Sequence, residues 1–177
     1  MSRAFLITNL NNCIMDKLSR RNAVKLTGSV GILSLAGCTD PSQESALSSD
    51  VVQFMSNSTL VTSPSCVCCD EYVEYLQDNG VSDISVEKIE DYTQIKHDAE
   101  IPQEKWSCHT IETEEYIIEG HVPLEAIEQL EDERPDIQGI GLAGMPSGSP
   151  GMGGSKTETF EIYAINNDGT ITEFMEL

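Results

Sequence analysis

Three observations predict a mixed α/β fold. Short β-branched or alternating runs take turns with amphipathic helical runs. Three cysteines stand between the first such strand and the first such helix, and two alternating runs close on an Asn/Asp/Gly turn near the C-terminal end.

The elements follow in order. "STLVTS" (58–63) is short and β-branched and reads as a strand that enters the cysteine cluster "SCVCC". "CDEYVEYLQDNG" (69–80) places Tyr72, Val73 and Leu76 at helical spacing, has acids in its first turn and stops at Gly80. "VSDISVEKI" alternates as a second strand through Ile84 and Val86, and a short helix is expected over about 91–97. "WSCHT" (106–110) ends the following loop, and "IETEEYIIEG" reads as one strand. "PLEAIEQLEDERP" offers Pro123 at a helix start, Leu124, Ile127 and Leu130 on one face, and Pro135 as a terminator. "TFEIYAI" and "TITEF" form a hairpin around "NNDG".

Strand, cysteines at a helix N-terminus, helix, strand, helix, strands, helix is the order of a thioredoxin-like domain. In that architecture the loop before the third strand packs beside the cysteine-bearing turn. Ser107, Cys108 and His109 occupy that place, so Cys108 is expected within reach of Cys66, Cys68 and Cys69. A ferredoxin-like α+β sandwich is the alternative.

Ahead of this domain, "SRRNAVKL" carries Arg20 and Arg21 and leads into "LTGSVGILSLAG", which ends at Gly37. A bilayer span needs about 18 apolar residues, and this run is shorter and broken by Gly and Ser. It is expected to be a targeting segment. The arginine pair resembles a twin-arginine export signal, and "LAGC" resembles a lipobox in which Cys38 becomes the lipidated first residue. Since export signals place their charged stretch near the start, Met15 is the expected initiator. The expected organisation is a signal over 1–37, a Ser/Asp-rich flexible tether over 38–50, and a single domain over 51–177. The expected location is the outer face of the cytoplasmic membrane, held by lipid alone.

Processing before Cys38 would leave five basic and 29 acidic residues, a formal charge of −24. Such a surface repels nucleic acid and anionic lipid, which argues against a DNA-binding role. Dispersed carboxylates with few lysines suit a salt-loving organism, where ions screen their repulsion.

Of six cysteines, Cys13 leaves with the signal and Cys38 carries lipid. Cys66, Cys68, Cys69 and Cys108 remain for the domain. Cys66 and Cys69 have the CxxC spacing of a thiol-disulfide exchange pair, but Cys68 would compete in exchange. A disulfide staple explains the even count and leaves the histidines without a role. Thiolates at i, i+2 and i+3 converge on one small volume, and sulfur bridges metal ions, so this crowding favours a polynuclear site. Zinc bound by four thiolates normally takes two separated CxxC pairs, and no second pair is present, which makes zinc the lesser alternative. Soft thiolate and thioether donors with imidazole favour several cuprous ions. His109 and His121 are the candidate nitrogen donors, and Met145 and Met152 the additional thioethers. His97 sits in an acidic stretch and reads as solvated, while Trp106 and Tyr116 read as core or site wall.

"CVCC", "SCHT", "YIIEGHVP" and "ERPDIQGIGLAGMPSGSPGM", in that order, resemble the CopG-like copper-resistance family. The resemblance implies an exported thioredoxin-like protein that binds several copper ions through cysteine thiolates and acts in copper handling or resistance. It puts Cys66, Cys68, Cys69 and Cys108 in the ligand role, with His109 and His121 beside them. Val67, Tyr72 and Ala143 depart from the residues usual in that family, and none of these departures removes a candidate ligand. Copper donor or acceptor proteins are the implied partners. An extracytoplasmic thiol-disulfide oxidoreductase using Cys66 and Cys69 is the alternative function.

Overall fold

The computed structural model describes residues 48–177. The expected signal with Arg20 and Arg21, the expected start at Met15, Cys38 and the part of the expected tether before residue 48 lie outside the described residues. Seven strands form one mixed sheet in the order β2-β1-β3-β4-β5-β6-β7. They are β1 (Ser58–Thr62), β2 (Ile84–Lys88), β3 (His109–Glu112), β4 (Ile117–Glu119), β5 (Gly139–Leu142), β6 (Glu161–Ile165) and β7 (Ile171–Glu176). Among the described residues four α-helices accompany them: α1 (Ser49–Met55), α2 (Val67–Asp78), α3 (Gln94–Asp98) and α4 (Leu124–Glu133). Among the described residues no helix is long and apolar enough to cross a membrane.

The sheet alternates the faces of its strands as the pleat requires. Ile118 and Ile162 join Val51, Tyr72, Leu76, Ile127 and Leu130 in the main core, which α1, α2 and α4 share. Ile117, Tyr163 and Ile165 turn to the other face, where Ile101 and Trp106 cover them. Trp106 donates its indole N–H to the Ile101 carbonyl at 2.8 Å, and Tyr116 is buried with its hydroxyl on the Pro135 carbonyl at 2.9 Å. Both are wall and core residues, as expected from the sequence.

Several elements differ from the sequence expectation. The run "IETEEYIIEG" is two strands, because Thr113 Oγ1 accepts from the backbone N–H groups of Glu115 and Tyr116 and folds the chain into a turn. β5 and α1 have no counterpart in that reading. Helix α1 begins where Ser48 accepts from Val51 N at 3.3 Å, an N-cap hidden within the Ser/Asp run. β2 does not bury an alternating face. It is an edge strand paired to β1 alone, with Val86 40% exposed. The C-terminal hairpin forms as β6 and β7, and β6 also pairs antiparallel with β5, so the hairpin completes the sheet.

Two connections position the site. β1 leads directly into α2, and β3 runs antiparallel to β1 with His109 opposite Thr62. The end of β1, the start of α2 and the start of β3 therefore meet at one edge of the core.

Candidate metal centre

Cys66 is the N-cap of α2, so Cys68 and Cys69 fall in its first turn, where the positive end of the helix dipole favours thiolate. The β1–β3 pairing delivers Cys108 to the same place. Its sulfur lies 3.5 Å from that of Cys69 and 3.7 Å from that of Cys68, and the Cys66 and Cys68 sulfurs are 3.6 Å apart. All four sulfurs fall within 4.8 Å of one another. Cys66 and Cys69 are joined as a disulfide, while Cys68 and Cys108 are free. Thr62, at the end of β1, donates its hydroxyl to the Cys108 carbonyl at 3.0 Å and also touches Cys69 sulfur, tying the two segments together.

Cys108 belongs to a second group as well. It forms a trio with His109 and His121 whose donor atoms also lie within 4.8 Å of one another. His121 Nδ1 donates to the Pro150 carbonyl at 2.6 Å, which leaves Nε2 as the acceptor facing Cys108 sulfur at 2.9 Å. A carbonyl that fixes one ring nitrogen while the other faces a ligand position is the usual support of a metal-binding histidine. His109 Nδ1 is 3.4 Å from the same sulfur, and its buried Nε2 has no hydrogen-bond partner among the described residues. Tyr72 packs against both imidazoles, at 4.7 Å from the ring of His109 and 5.3 Å from that of His121, and donates its hydroxyl to the Val122 carbonyl at 2.6 Å.

The protonation states follow from burial. Desolvation, and then the neighbouring Cys68, push the Cys108 thiol up to about 12. Burial lowers the proton affinity of His121, and holds His109 well below the ordinary imidazole range with help from His121 and Lys96. Both effects favour a neutral pair in which the Cys108 thiol donates to His121 Nε2. A soft metal cation entering here would displace that proton and meet sulfur and nitrogen donors already aimed at one point.

The two methionines separate. Met145 is half exposed, and its sulfur lies 3.9 Å from that of Cys68, at the open side of the cluster. Met152 instead lines a cleft against α2 with Glu74, Tyr75 and Asp78. His97 is exposed, with its ring edge-on to Trp106 at 4.8 Å.

Sequence reasoning missed the polar support beneath the cluster. Lys96 and Glu119 are both fully buried and paired, and Glu119 accepts from the backbone N–H of Ser107 at 2.6 Å. A faint signal existed in Gly120, which follows Glu119. A Cβ there would lie 2.5 Å from that of Ser107, so the two segments need glycine to approach.

Residues 105–152 match the family described as "Protein of unknown function, DUF411". No curated protein matches the chain by sequence. Two solved structures are similar to it. "Copper resistance protein copG- Form 2" shares 29% identity at a TM-score of 0.62, over 68% of this chain and 96% of that one. "Copper resistance protein copG- Form 1" shares 28% at 0.59, over 68% and 95%. The matched segment carries Cys108, His109 and His121. The family match and the two structural neighbours together support a likeness of this chain to the CopG-like copper-resistance family.

Proposed function

We propose that the protein is an exported, lipid-anchored copper-binding protein that holds several cuprous ions and acts in copper handling or resistance. The observation that carries this reading is the position of Cys108. It belongs both to the four-cysteine group and to the trio with His109 and His121, so one sulfur is placed to bridge ions held by each group. Met145, beside Cys68, supplies a thioether at the open side, where a donor or acceptor protein would deliver or collect copper. Four thiolates require the Cys66–Cys69 disulfide to be reduced first. A thioredoxin-like arrangement fits the β2-β1-β3-β4 portion of the sheet. Its parallel β1–β2 pair and antiparallel β3 and β4 favour that topology over the ferredoxin-like alternative.

The test is copper per protein after reduction and anaerobic loading, for the wild type and Cys108→Ser in parallel. Loss of a bridging sulfur should lower the ratio by more than one ion. Equal ratios would refute a shared centre, and a single zinc with no copper after copper-replete growth would refute the copper reading.

One observation favours a second reading. The disulfide joins a CxxC pair at a helix N-terminus, as in a thiol-disulfide oxidoreductase. Thiol titration separates the two. Cuprous ion should mask all four thiols together in a copper centre, whereas an exchange pair responds to dithiol reductant with or without metal.

The anchor is tested apart from the centre. Cys38→Ser should release the protein from the membrane, because the exported surface carries a formal charge of −24 that opposes anionic headgroups. Continued membrane association would mean a different anchor.

A further inference from the structure

We propose that the buried Lys96–Glu119 pair is a positioning device that holds the Ser107–Cys108 segment, and so the Cys108 sulfur, in register with the α2 cysteines. The proposal rests on reading the cluster as a copper centre.

Lys96 comes from α3 and Glu119 from β4, and both side chains are 0% exposed. The ammonium is fully used, with bonds of 2.5 and 2.7 Å to the two carboxylate oxygens and 2.8 Å to Thr110 Oγ1. Glu119 Oε1 also accepts from Ser107 N at 2.6 Å, and Oε2 accepts from the Thr110 hydroxyl at 2.6 Å. These contacts bracket the candidate ligands. Ser107 immediately precedes Cys108, Thr110 immediately follows His109, and Glu119 lies two residues before His121. One carboxylate thus ties together both flanks of the Cys108–His109 pair and the strand that presents His121. Ser107 in turn donates its hydroxyl to the Gly144 carbonyl at 2.5 Å, which extends the hold to the loop that carries Met145.

Packing alone does not explain an ion pair at this position. Desolvating two charges offsets most of their attraction, and apolar side chains of similar volume fill a core as well or better. What an apolar pair cannot do is accept the Ser107 N–H and the Thr110 hydroxyl.

The experiment uses the full chain, reduced and handled anaerobically. Removing one charge alone would strand the other, so the variants are paired. Lys96→Met with Glu119→Leu removes the charges and the acceptor together, whereas Lys96→Met with Glu119→Gln removes the charges but keeps an amide oxygen for Ser107 N. Three quantities are read: denaturation midpoint, cuprous affinity by competition with a chromophoric chelator, and the alkylation rate of Cys108 by peptide mapping. The Leu variant should fold, bind cuprous ion about tenfold or more weakly, as loss of a ligand-orienting partner does, and show an altered Cys108 alkylation rate. The Gln variant should return both towards wild type. A folded Leu variant with wild-type affinity and alkylation rate would overturn the proposal and leave the pair as core filling. Should the Leu variant not fold, Thr110→Val decides, since it removes the hydroxyl that fixes both partners and leaves the charges. Weaker binding and altered alkylation support positioning, and wild-type values overturn it. If the wild type binds no copper, the copper reading falls, and Cys108 alkylation alone still judges whether the pair positions that sulfur.

Discussion

His109 and His121 set the pH response of the metal-free protein. Burial lowers the proton affinity of both rings. Above about pH 6.5 they are neutral folded or unfolded, so no penalty arises. Below it the unfolded chain takes up protons that the folded site refuses, and stability falls with pH until the depressed folded values are reached. Chemical denaturation at about pH 7.5 and about pH 5.5 should show that loss, and His109→Leu should reduce the difference between the two. An unchanged difference would mean that His109 is not held neutral. At this scale the cysteines and the two histidines were legible as candidate donors from residue type and spacing, and the fold brings their donor atoms into two groups within 4.8 Å. Lys96 was not. A lysine in an acidic helical stretch reads as solvated, and only Thr110 and Glu119, 14 and 23 residues away, make it a buried one.

Among the elements, the loop after β5 matters most to the centre, because the Pro150 carbonyl fixes the tautomer of His121. Gly151 makes that approach achievable. Its φ is +71°, and a Cβ would lie 2.6 Å from Tyr72 N on α2. Gly151→Ala should therefore cost at least about 1–2 kcal/mol for the left-handed backbone alone, lift the loop from α2 and release His121 Nδ1. The checks are a lower denaturation midpoint and a changed His121 tautomer in nitrogen NMR; an unaltered tautomer would free the loop from this role. Helix α2 and α4 were readable from apolar spacing, with Pro123 and Pro135 at the ends of the second. β5 was not, since "GIGL" carries two glycines and no β-branched run. It becomes a strand by pairing with β4 and β6, where Gly139 lies against Ile117 and Gly141 against the ring of Tyr163. β2 misled for the opposite reason. Its alternation is real, but no layer covers Val86.

Over the whole molecule, charge is the dominant long-range term. With 30 acidic against 10 basic residues in the full chain, self-repulsion opposes the compact state. Raising potassium chloride from about 0.01 M to about 1 M shortens the screening length from about 30 Å to about 3 Å, so the thermal midpoint should rise over that range. A flat midpoint would show that the carboxylates are spaced too widely to repel. The amino-acid sequence by itself determined the chemistry of this protein: soft donors at close spacing, an acidic surface, and an alternation of strand and helix that makes a mixed α/β sheet. Those properties are local, fixed by residue type and by neighbours within a few positions. Only the tertiary structure decided that Cys108 shares two donor groups, that Met145 joins the cluster while Met152 does not, and that a buried ion pair underlies it. Each of these depends on strand pairing and loop closure between segments far apart in the chain, where a displacement of one or two ångströms separates a bond from no contact.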